Sequence, residues 1–167
     1  MTARFVIEPL TKAHDRSGFA CGNDKVDAYF RQTVSQDVKR RYASCFVMCE
    51  GAGGRIAGFY TLSSNSVPLT DIPEALAKKL PRYPTVPAVL MGWMGRDEAF
   101  RGEGLGELLV FDAIRTVATA PIASHALFAD AIDERALQLY TKLGFTALTG
   151  QPMRLFLPIA TGLQLMG

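Results

Sequence analysis

The stretch that decides the fold is GWMGRDEAFRGEGLGELL, from Gly92 to Leu109. It overlaps the end of an apolar run, residues 88–94, which is typical of a β-strand. The glycine cluster Arg101–Gly106, which we call the cradle, leads directly into residues 107–111, an apolar segment that predicts a helix. A strand, a glycine loop and a helix N-terminus together bind anions well, because glycine lets the backbone approach closely and the helix dipole favours negative charge.

The glycine spacing distinguishes between phosphate-binding motifs. The dinucleotide fingerprint G-x-G-x-x-G requires a glycine where Glu107 stands, and a Walker A loop requires a Gly-Lys-Ser/Thr sequence that the chain does not contain. The pattern that fits is R-x-x-G-x-G, from Arg101 to Gly106, at the start of a helix that follows a strand. On these six residues alone, an ordinary surface loop is an equally good interpretation.

Hydrophobic periodicity predicts a mixed α/β fold in a single domain, residues 1–167. The predicted strands cover residues 4–10, 44–50, 55–63, 88–94, 126–131, 145–148 and 153–157. Four helices are predicted. The first is capped by Asn23 or Asp24 and ends at about residue 39, and the second covers residues 74–80. The third runs from the cradle to about residue 118, and the fourth covers residues 133–142. Gly144 is placed to end the last of these helices in the left-handed conformation.

Composition narrows the class of protein. Nearly half of the residues are apolar, yet no run is long enough for a membrane span and no signal peptide is expected at the start. The three cysteines, Cys21, Cys45 and Cys49, have no metal-site spacing, so we expect no metal and a reducing, cytoplasmic environment. The net charge of +2 is too small to indicate a nucleic-acid partner by itself.

A second stretch, Asp133–Phe145, gives the cradle a family context. It contains an alanine and then Tyr-x-x-x-Gly-Phe, from Tyr140 to Phe145, on a predicted helix about thirty residues after the cradle. These two motifs in this order resemble the GNAT (Gcn5-related) N-acetyltransferases over most of the chain. The resemblance implies a central, mostly antiparallel sheet flanked by helices, and acetyl-CoA as co-substrate.

A narrower resemblance concerns the aminoacyl-tRNA-acetylating toxins of bacterial type II toxin–antitoxin modules. It rests on the pattern from Phe19 to Gln32, on Tyr60–Ser63, on Leu80–Pro84 and on Val86-Pro87. It implies acetylation of the amino-acid α-amine on tRNA, a block of translation, a small ribbon-helix-helix antitoxin and a homodimer. The chain departs from the group at residues 92–97, which read GWMGRD where the group usually has GRLAVD.

The GNAT resemblance also implies where acetyl-CoA binds. Its pyrophosphate would lie on the backbone N–H groups of the cradle, its pantetheine arm would pair with the central strand, and an N–H near Met94 or Gly95 would polarise the thioester carbonyl. The expected cofactor-binding residues are Met94, Gly95, Arg96, Arg101, Gly102, Glu103, Gly104, Leu105, Gly106 and Asp133. For Asp133, the cap of the helix that begins there is an alternative role.

Tyr140 is the expected catalytic residue. A phenol can donate a proton at neutral pH, and the family places this tyrosine where it can protonate the departing CoA sulfur. Ala136, Tyr140 and Leu143 share one helical face, so a purely structural core tyrosine is the alternative.

A tRNA substrate would require basic surface residues, because phosphates dominate binding of nucleic acids. The candidates are Lys39, Arg40, Arg41, Lys78, Lys79, Arg82 and Arg96. An ordinary solvated face is the alternative for each cluster. No general base stands out, and His14 and His125 are both expected to be structural. An α-amine, with a pKa of about 8, needs less help from a base than lysine does.

Three functions are therefore considered. The first is a toxin that acetylates aminoacyl-tRNA, and the second is a GNAT enzyme for a small amine or a protein N-terminus. The third is a degenerate GNAT domain that binds a partner without catalysis. The intact cradle and Tyr140 argue against the third, and the clustered lysines and arginines favour the first over the second.

Overall fold

The computed structural model describes residues 4–167. The strands of these residues are β1 (Phe5–Pro9), β2 (Ser44–Glu50), β3 (Ile56–Pro68), β4 (Thr85–Met91), β5 (Met94–Arg96), β6 (Ala126–Asp130), β7 (Thr146–Leu148) and β8 (Gln151–Pro158). The helices are α1 (Asp24–Ala28), α2 (Val34–Lys39), α3 (Glu74–Ala77), α4 (Leu105–Thr119), α5 (Glu134–Lys142) and α6 (Ile159–Leu165). None of them is long and apolar enough to cross a membrane. A π-helical turn, Tyr29–Thr33, joins α1 to α2, and short 3₁₀ helices occupy Leu69–Asp71 and Glu98–Phe100.

The chain forms two compact units, and the first contains the residues up to Ser63 and Gly92–Asp112. Its strands pair antiparallel, β1 with β2, β2 with β3, and β3 with β5. Asn23 caps α1, because its side-chain oxygen accepts from the N–H groups of Lys25 and Val26. The helices pack their apolar face on the sheet, where Phe30 and Phe59 stack with ring centroids 4.0 Å apart.

The second unit contains Ser64–Met91 and Ala113–Gly167. In it β4 pairs parallel with β6, and β8 pairs antiparallel with both β6 and β7. Its core includes Phe128 and Phe156, which face each other in the register of β6 and β8. The helix α6 lies against this core closely, since a Cβ added to Gly162 would meet Ile114 at 3.1 Å.

The mixed α/β class with mostly antiparallel pairing is confirmed. The predicted single strand over 88–94 is wrong, because β4 ends at Met91 and β5 begins at Met94. The chain is diverted there since both backbone groups of Trp93 bind Thr61, the N–H to Oγ1 at 3.0 Å and the carbonyl to the Thr61 N–H at 2.9 Å. The sequence also did not predict α6 or the π-helical turn.

Candidate active site

The short strand β5 has one paired edge and one open edge. Among residues 4–167, it pairs as a strand with β3 alone. The carbonyl of Trp93 accepts from Thr61, and the N–H of Asp97 donates to the carbonyl of Ala57 at 2.9 Å. Because such bonds alternate along an antiparallel strand, Gly95 also turns its backbone groups toward β3. The N–H and C=O groups of Met94 and Arg96 therefore point to the open edge.

Because of this alternation, the two N–H groups predicted to polarise the thioester carbonyl, those of Met94 and Gly95, point in opposite directions. Met94 presents its N–H to the open edge, whereas Gly95 directs its own N–H toward Phe59. Gly95 is instead needed for its small size, because an added Cβ would lie 3.0 Å from Phe59 Cε1 and 3.1 Å from Val26 Cγ1. The geometry thus favours Met94 as the polarising donor.

Asp97 connects β5 to the cradle. Its carboxylate is 2% exposed and accepts from the N–H of Ala99 at 2.9 Å and from the N–H of Ala20 at 3.1 Å. The N–H of Glu98 adds a bond to the carbonyl of Ala20 at 2.9 Å. A buried carboxylate held by backbone donors is rigid, so the chain enters the cradle in a fixed direction.

The cradle is open, and two of its glycines have a left-handed backbone conformation. Gly102 and Gly104 have φ angles of +82° and +72°, and a Cβ at either position would meet no atom within 4 Å. Glycine is therefore needed for conformation rather than for space. Leu105 begins α4 and is buried, which fixes the helix N-terminus. The first N–H groups of a helix lack partners within it, so they are available to an anion here.

The charged side chains around the cradle are paired. Arg101 lies 3.5 Å from Glu98, and both side chains are largely exposed. Arg4 binds Glu50 at 2.7 Å and also forms an ion pair with Glu103 of the cradle. The sequence did not indicate this role of Arg4, because its partner lies 99 positions away and no local pattern joins them.

We expect the Arg4→Ala substitution to weaken acetyl-CoA binding. It releases the Glu103 carboxylate beside the phosphate site that the sequence predicts. An exposed charge of this kind should change the KM for acetyl-CoA about two- to fivefold. Steady-state kinetics at low and high salt measure the effect, which added salt should reduce. The double variant Arg4→Ala/Glu103→Gln should restore the original KM. An equal KM increase in the double variant would contradict the pairing argument.

Tyr140 lies on α5 in the second unit. Its side chain is 3% exposed, and its ring packs on that of Phe145 with centroids 5.2 Å apart. Its hydroxyl hydrogen-bonds to no residue within 4–167. Every side-chain nitrogen or oxygen in this range that is fully shielded from solvent has a hydrogen-bond partner, so the Tyr140 hydroxyl is not one of the shielded atoms. The hydroxyl therefore reaches the surface. The ring has the predicted core role, and the hydroxyl is still available to a ligand.

Burial raises the pKa of Tyr140 above its ordinary value, and the nearby Asp130 carboxylate adds to the shift. The phenol is therefore protonated across the physiological range. A full proton transfer to a thiolate would leave a phenolate that burial and Asp130 both disfavour. Tyr140 is thus better suited to donate a hydrogen bond than to give up its proton.

Asp133 caps α5, since its Oδ1 accepts from the N–H of Ala136 at 2.8 Å. The helix ends as predicted at Gly144, which has a φ of +93°. A cofactor contact of Asp133 stays a prediction.

The predicted tRNA-binding residues lie on the surface in both units. Arg96 is half-buried on β5. The fully exposed ones are Lys39, Arg40 and Arg41 in the first unit and Lys78, Lys79 and Arg82 in the second. Tyr42 and Tyr83, which directly follow these clusters in the sequence, are 76% and 71% exposed. Arg41 has a φ of +62°, a left-handed conformation that marks a sharp end to α2. Contact between these basic residues and tRNA stays a prediction.

His14 has a structural pairing. Its Nδ1 accepts from the N–H of Thr11 at 2.9 Å, so the proton of the neutral ring lies on Nε2, which is 2.7 Å from Glu8 Oε1. Cys49 places its sulfur within 4.8 Å of these groups. Burial raises the pKa of this thiol, which disfavours the thiolate that a metal would need. The set is therefore poorly suited to a metal ion.

Known proteins are similar to this chain in sequence and in fold. The FR47-like protein family matches residues 82–153. The probable toxin TacT of Sinorhizobium fredii is 35% identical over 99% of this chain and 97% of its own. A tRNA-acetylating toxin of Mycobacterium tuberculosis is 31% identical over 95% of this chain and 94% of its own.

Three solved structures of AtaT have the same fold, and each match covers 98% of this chain. AtaT complexed with acetyl-methionyl-tRNAfMet has a TM-score of 0.87 at 26% identity over 99% of its length. AtaTR bound with acetyl-CoA has a TM-score of 0.83 at 26% identity over 99%. A mutant AtaT bound to the C-terminus of the antitoxin AtaR has a TM-score of 0.82 at 25% identity over 98%. With relatives above 30% identity along nearly its whole length, the chain belongs to the FR47-like, GNAT-type family of acetyltransferase toxins.

Proposed function

We propose that this protein transfers an acetyl group from acetyl-CoA to the α-amine of aminoacyl-tRNA and thereby stops translation. The relatives support the substrate class, since one is a tRNA-acetylating toxin and AtaT is known with acetyl-methionyl-tRNAfMet. The observation in this chain that carries the proposal is the open edge of β5, which leads through Asp97 directly into the cradle. An edge for an extended amide chain beside a site for phosphate suits the pantetheine and pyrophosphate of acetyl-CoA.

The first unit would hold acetyl-CoA mainly through its backbone. We assign the pyrophosphate to the N–H groups of Gly102 to Gly106, with Arg101 as the nearby cation. We assign the pantetheine amides to the open edge at Met94 and Arg96. Glu103 stays paired with Arg4, which keeps its carboxylate from repelling the phosphates.

The chemistry then requires little from the side chains. The thioester of acetyl-CoA supplies an activated acetyl group. The N–H of Met94 stabilises the negative charge that develops on the carbonyl oxygen when the neutral amine attacks. The C–N bond forms, the C–S bond breaks, and the hydroxyl of Tyr140 donates a hydrogen bond to the sulfur that leaves. The extra proton of the amine passes to water. His14 is not free to take it, because both of its ring nitrogens are held by Thr11 and Glu8.

The remaining partners follow from the toxin family. We propose that the basic residues of both units bind the tRNA backbone, that a ribbon-helix-helix antitoxin neutralises the protein, and that it acts as a homodimer in the cytoplasm. AtaT is known with its antitoxin AtaR, which supports a protein antitoxin here. We further propose that residues 1–167 act as one GNAT domain.

We expect the pH profile of kcat/KM to identify the attacking amine. An α-amine must lose its proton to attack, so the rate should rise with pH and level off above a pKa of about 8. A lysine acceptor would shift this limb to about 10.4. Tyr140 acts while protonated, and its pKa is raised, so no falling limb should appear in the neutral range. A fall of kcat/KM as the pH rises from neutral toward the plateau set by the α-amine would contradict the role of Tyr140.

The decisive experiment is mass spectrometry of amino acids released from a total pool of charged tRNA after incubation with the protein and acetyl-CoA. N-acetylation of one or a few amino acids would establish the reaction and its substrate. If the protein binds acetyl-CoA but acetylates none of them, the proposal is wrong. Small amines and protein N-termini would then be the acceptors to test.

A further inference from the structure

An aromatic pair in the first unit includes the residue that precedes the proposed donor to the acetyl carbonyl. The rings of Tyr29 and Trp93 are parallel within 6°, with centroids 4.1 Å apart. Trp93 precedes Met94, whose N–H faces the open edge of β5. Consecutive Cα atoms are about 3.8 Å apart, so the backbone of Trp93 directly adjoins the donor assigned to the acetyl carbonyl.

The pair is held rigidly. The backbone of Trp93 is fixed on both sides by Thr61, which is itself 1% exposed. Tyr29 is 7% exposed, and its hydroxyl donates to Asp37 Oδ2 at 2.8 Å. Tyr29 begins the π-helical turn, where the N–H of Val34 bonds back to its carbonyl. Such turns occur often at functional sites, because they redirect a side chain within a helix.

The pair also lies on the face of the sheet opposite to α4. A Cβ on Gly58 would meet Leu109 of α4 at 2.9 Å, so α4 covers the face that Gly58 shares with its register partner Arg96. Side chains alternate along a strand, so Trp93 lies on the opposite face, where it packs beside α1 and α2. Trp93 is only half-buried. It therefore keeps apolar surface that a substrate can contact.

We propose that Trp93, backed by Tyr29, is the wall against which the side chain of the esterified amino acid packs, and that the protein selects tRNAs charged with apolar amino acids. The inference rests on the proposed function. The amino-acid side chain is a better candidate for contact with Trp93 than the base of the terminal adenosine. The side chain is attached two bonds from the attacking nitrogen, whereas the base lies beyond the ester and the ribose. The paired rings carry no formal charge, and the Tyr29 hydroxyl is occupied by Asp37.

Trp93 is the single tryptophan of the chain, so its fluorescence tests the contact directly in the unmodified protein. Without acetyl-CoA, methionyl-, leucyl- or phenylalanyl-tRNA should change the emission in a saturable way. The same tRNAs after deacylation, and glycyl-, aspartyl- or lysyl-tRNA, should not. An equal change with deacylated tRNA would show that Trp93 contacts the terminal adenosine, and an equal change with every charged tRNA would exclude selection by side chain. Either result overturns the proposal.

Variants test the selectivity. For Trp93→Ala we expect kcat/KM for the apolar substrates to fall about 10- to 100-fold relative to glycyl-tRNA, since apolar contacts discriminate over this range. The Kd for acetyl-CoA should be unchanged. Trp93→Phe keeps an aromatic wall and should preserve the rank order, as should Tyr29→Phe, which keeps the stack and loses only the bond to Asp37. An equal fall for all charged tRNAs would refute the proposal.

The outcomes separate the two proposals. If the wild-type protein acetylates no aminoacyl-tRNA, the proposed function itself fails. If it acetylates some of them and Trp93→Ala leaves the order of preference among the charged tRNAs unchanged, only the role of Trp93 fails. Should Trp93→Ala not fold, the fluorescence titration of the unmodified protein still decides.

Discussion

Replacement of Tyr140 by phenylalanine should reduce kcat about 100- to 1,000-fold, the range that one positioned hydrogen-bond donor contributes. The substitution removes only the hydroxyl, which has no hydrogen-bond partner among the described residues. The ring can still pack on Phe145, so the Tm and the Kd for acetyl-CoA should be unchanged. Single-turnover kinetics, thermal unfolding and calorimetric titration measure the three quantities.

A second buried tyrosine provides the matched control. Tyr60 is fully buried, and its hydroxyl donates to Asp112 Oδ2 at 2.5 Å. Tyr60→Phe should lower the free energy of unfolding by about 1–3 kcal/mol, because it leaves a carboxylate without a buried donor. Tyr140→Phe should therefore lose catalytic rate and keep its stability, whereas Tyr60→Phe should lose stability and keep its rate. If Tyr140→Phe lost stability and kept its rate of acetyl transfer, Tyr140 would be a core residue only.

The Gly104→Val substitution should raise the Kd for acetyl-CoA by about tenfold or more, equivalent to about 1.4 kcal/mol. Its φ of +72° is strained for any residue with a Cβ, and the added side chain would cover the N–H groups at the start of α4. Calorimetric titration of acetyl-CoA measures the affinity, and chemical denaturation measures the stability of the same protein.

Gly53 is the control for backbone strain. It has a φ of +71°, and a Cβ there would also meet nothing within 4 Å, but it lies in the turn between β2 and β3. Gly53→Val should cost a similar amount of stability, about 1–2 kcal/mol, and leave the affinity for acetyl-CoA intact. Equal losses of affinity in both variants would mean that strain, and not the cradle, determines binding.

Local patterns predicted the elements whose causes are local. The Asn23 cap and the end of α5 at Gly144 both depend on the residue itself or its near neighbours. The predicted mixed α/β class followed from periodicity in the same way. These are the parts of the fold that the sequence could specify.

The parts that the sequence could not specify depend on distant contacts. The break between β4 and β5 follows from Thr61, thirty-two positions before Trp93. The choice of Met94 over Gly95 as donor depends on which residues of β3 lie opposite. The link from Arg4 to Glu103 spans most of the first unit. No pattern along the chain records such pairings, so they required the structure.

The open edge of β5 also bears on how freely this segment can change during evolution. A recognition surface made of peptide N–H and C=O groups is the same for nearly every amino acid, so substitutions at Met94 or Arg96 leave its donors and acceptors in place. Only proline removes a donor outright. The sequence GWMGRD can therefore differ in its side chains from GRLAVD, the pattern usual in the group that the chain resembles, while the hydrogen-bonding groups of the edge are retained. By the same reasoning, a compound that pairs with this edge would meet few single substitutions able to exclude it.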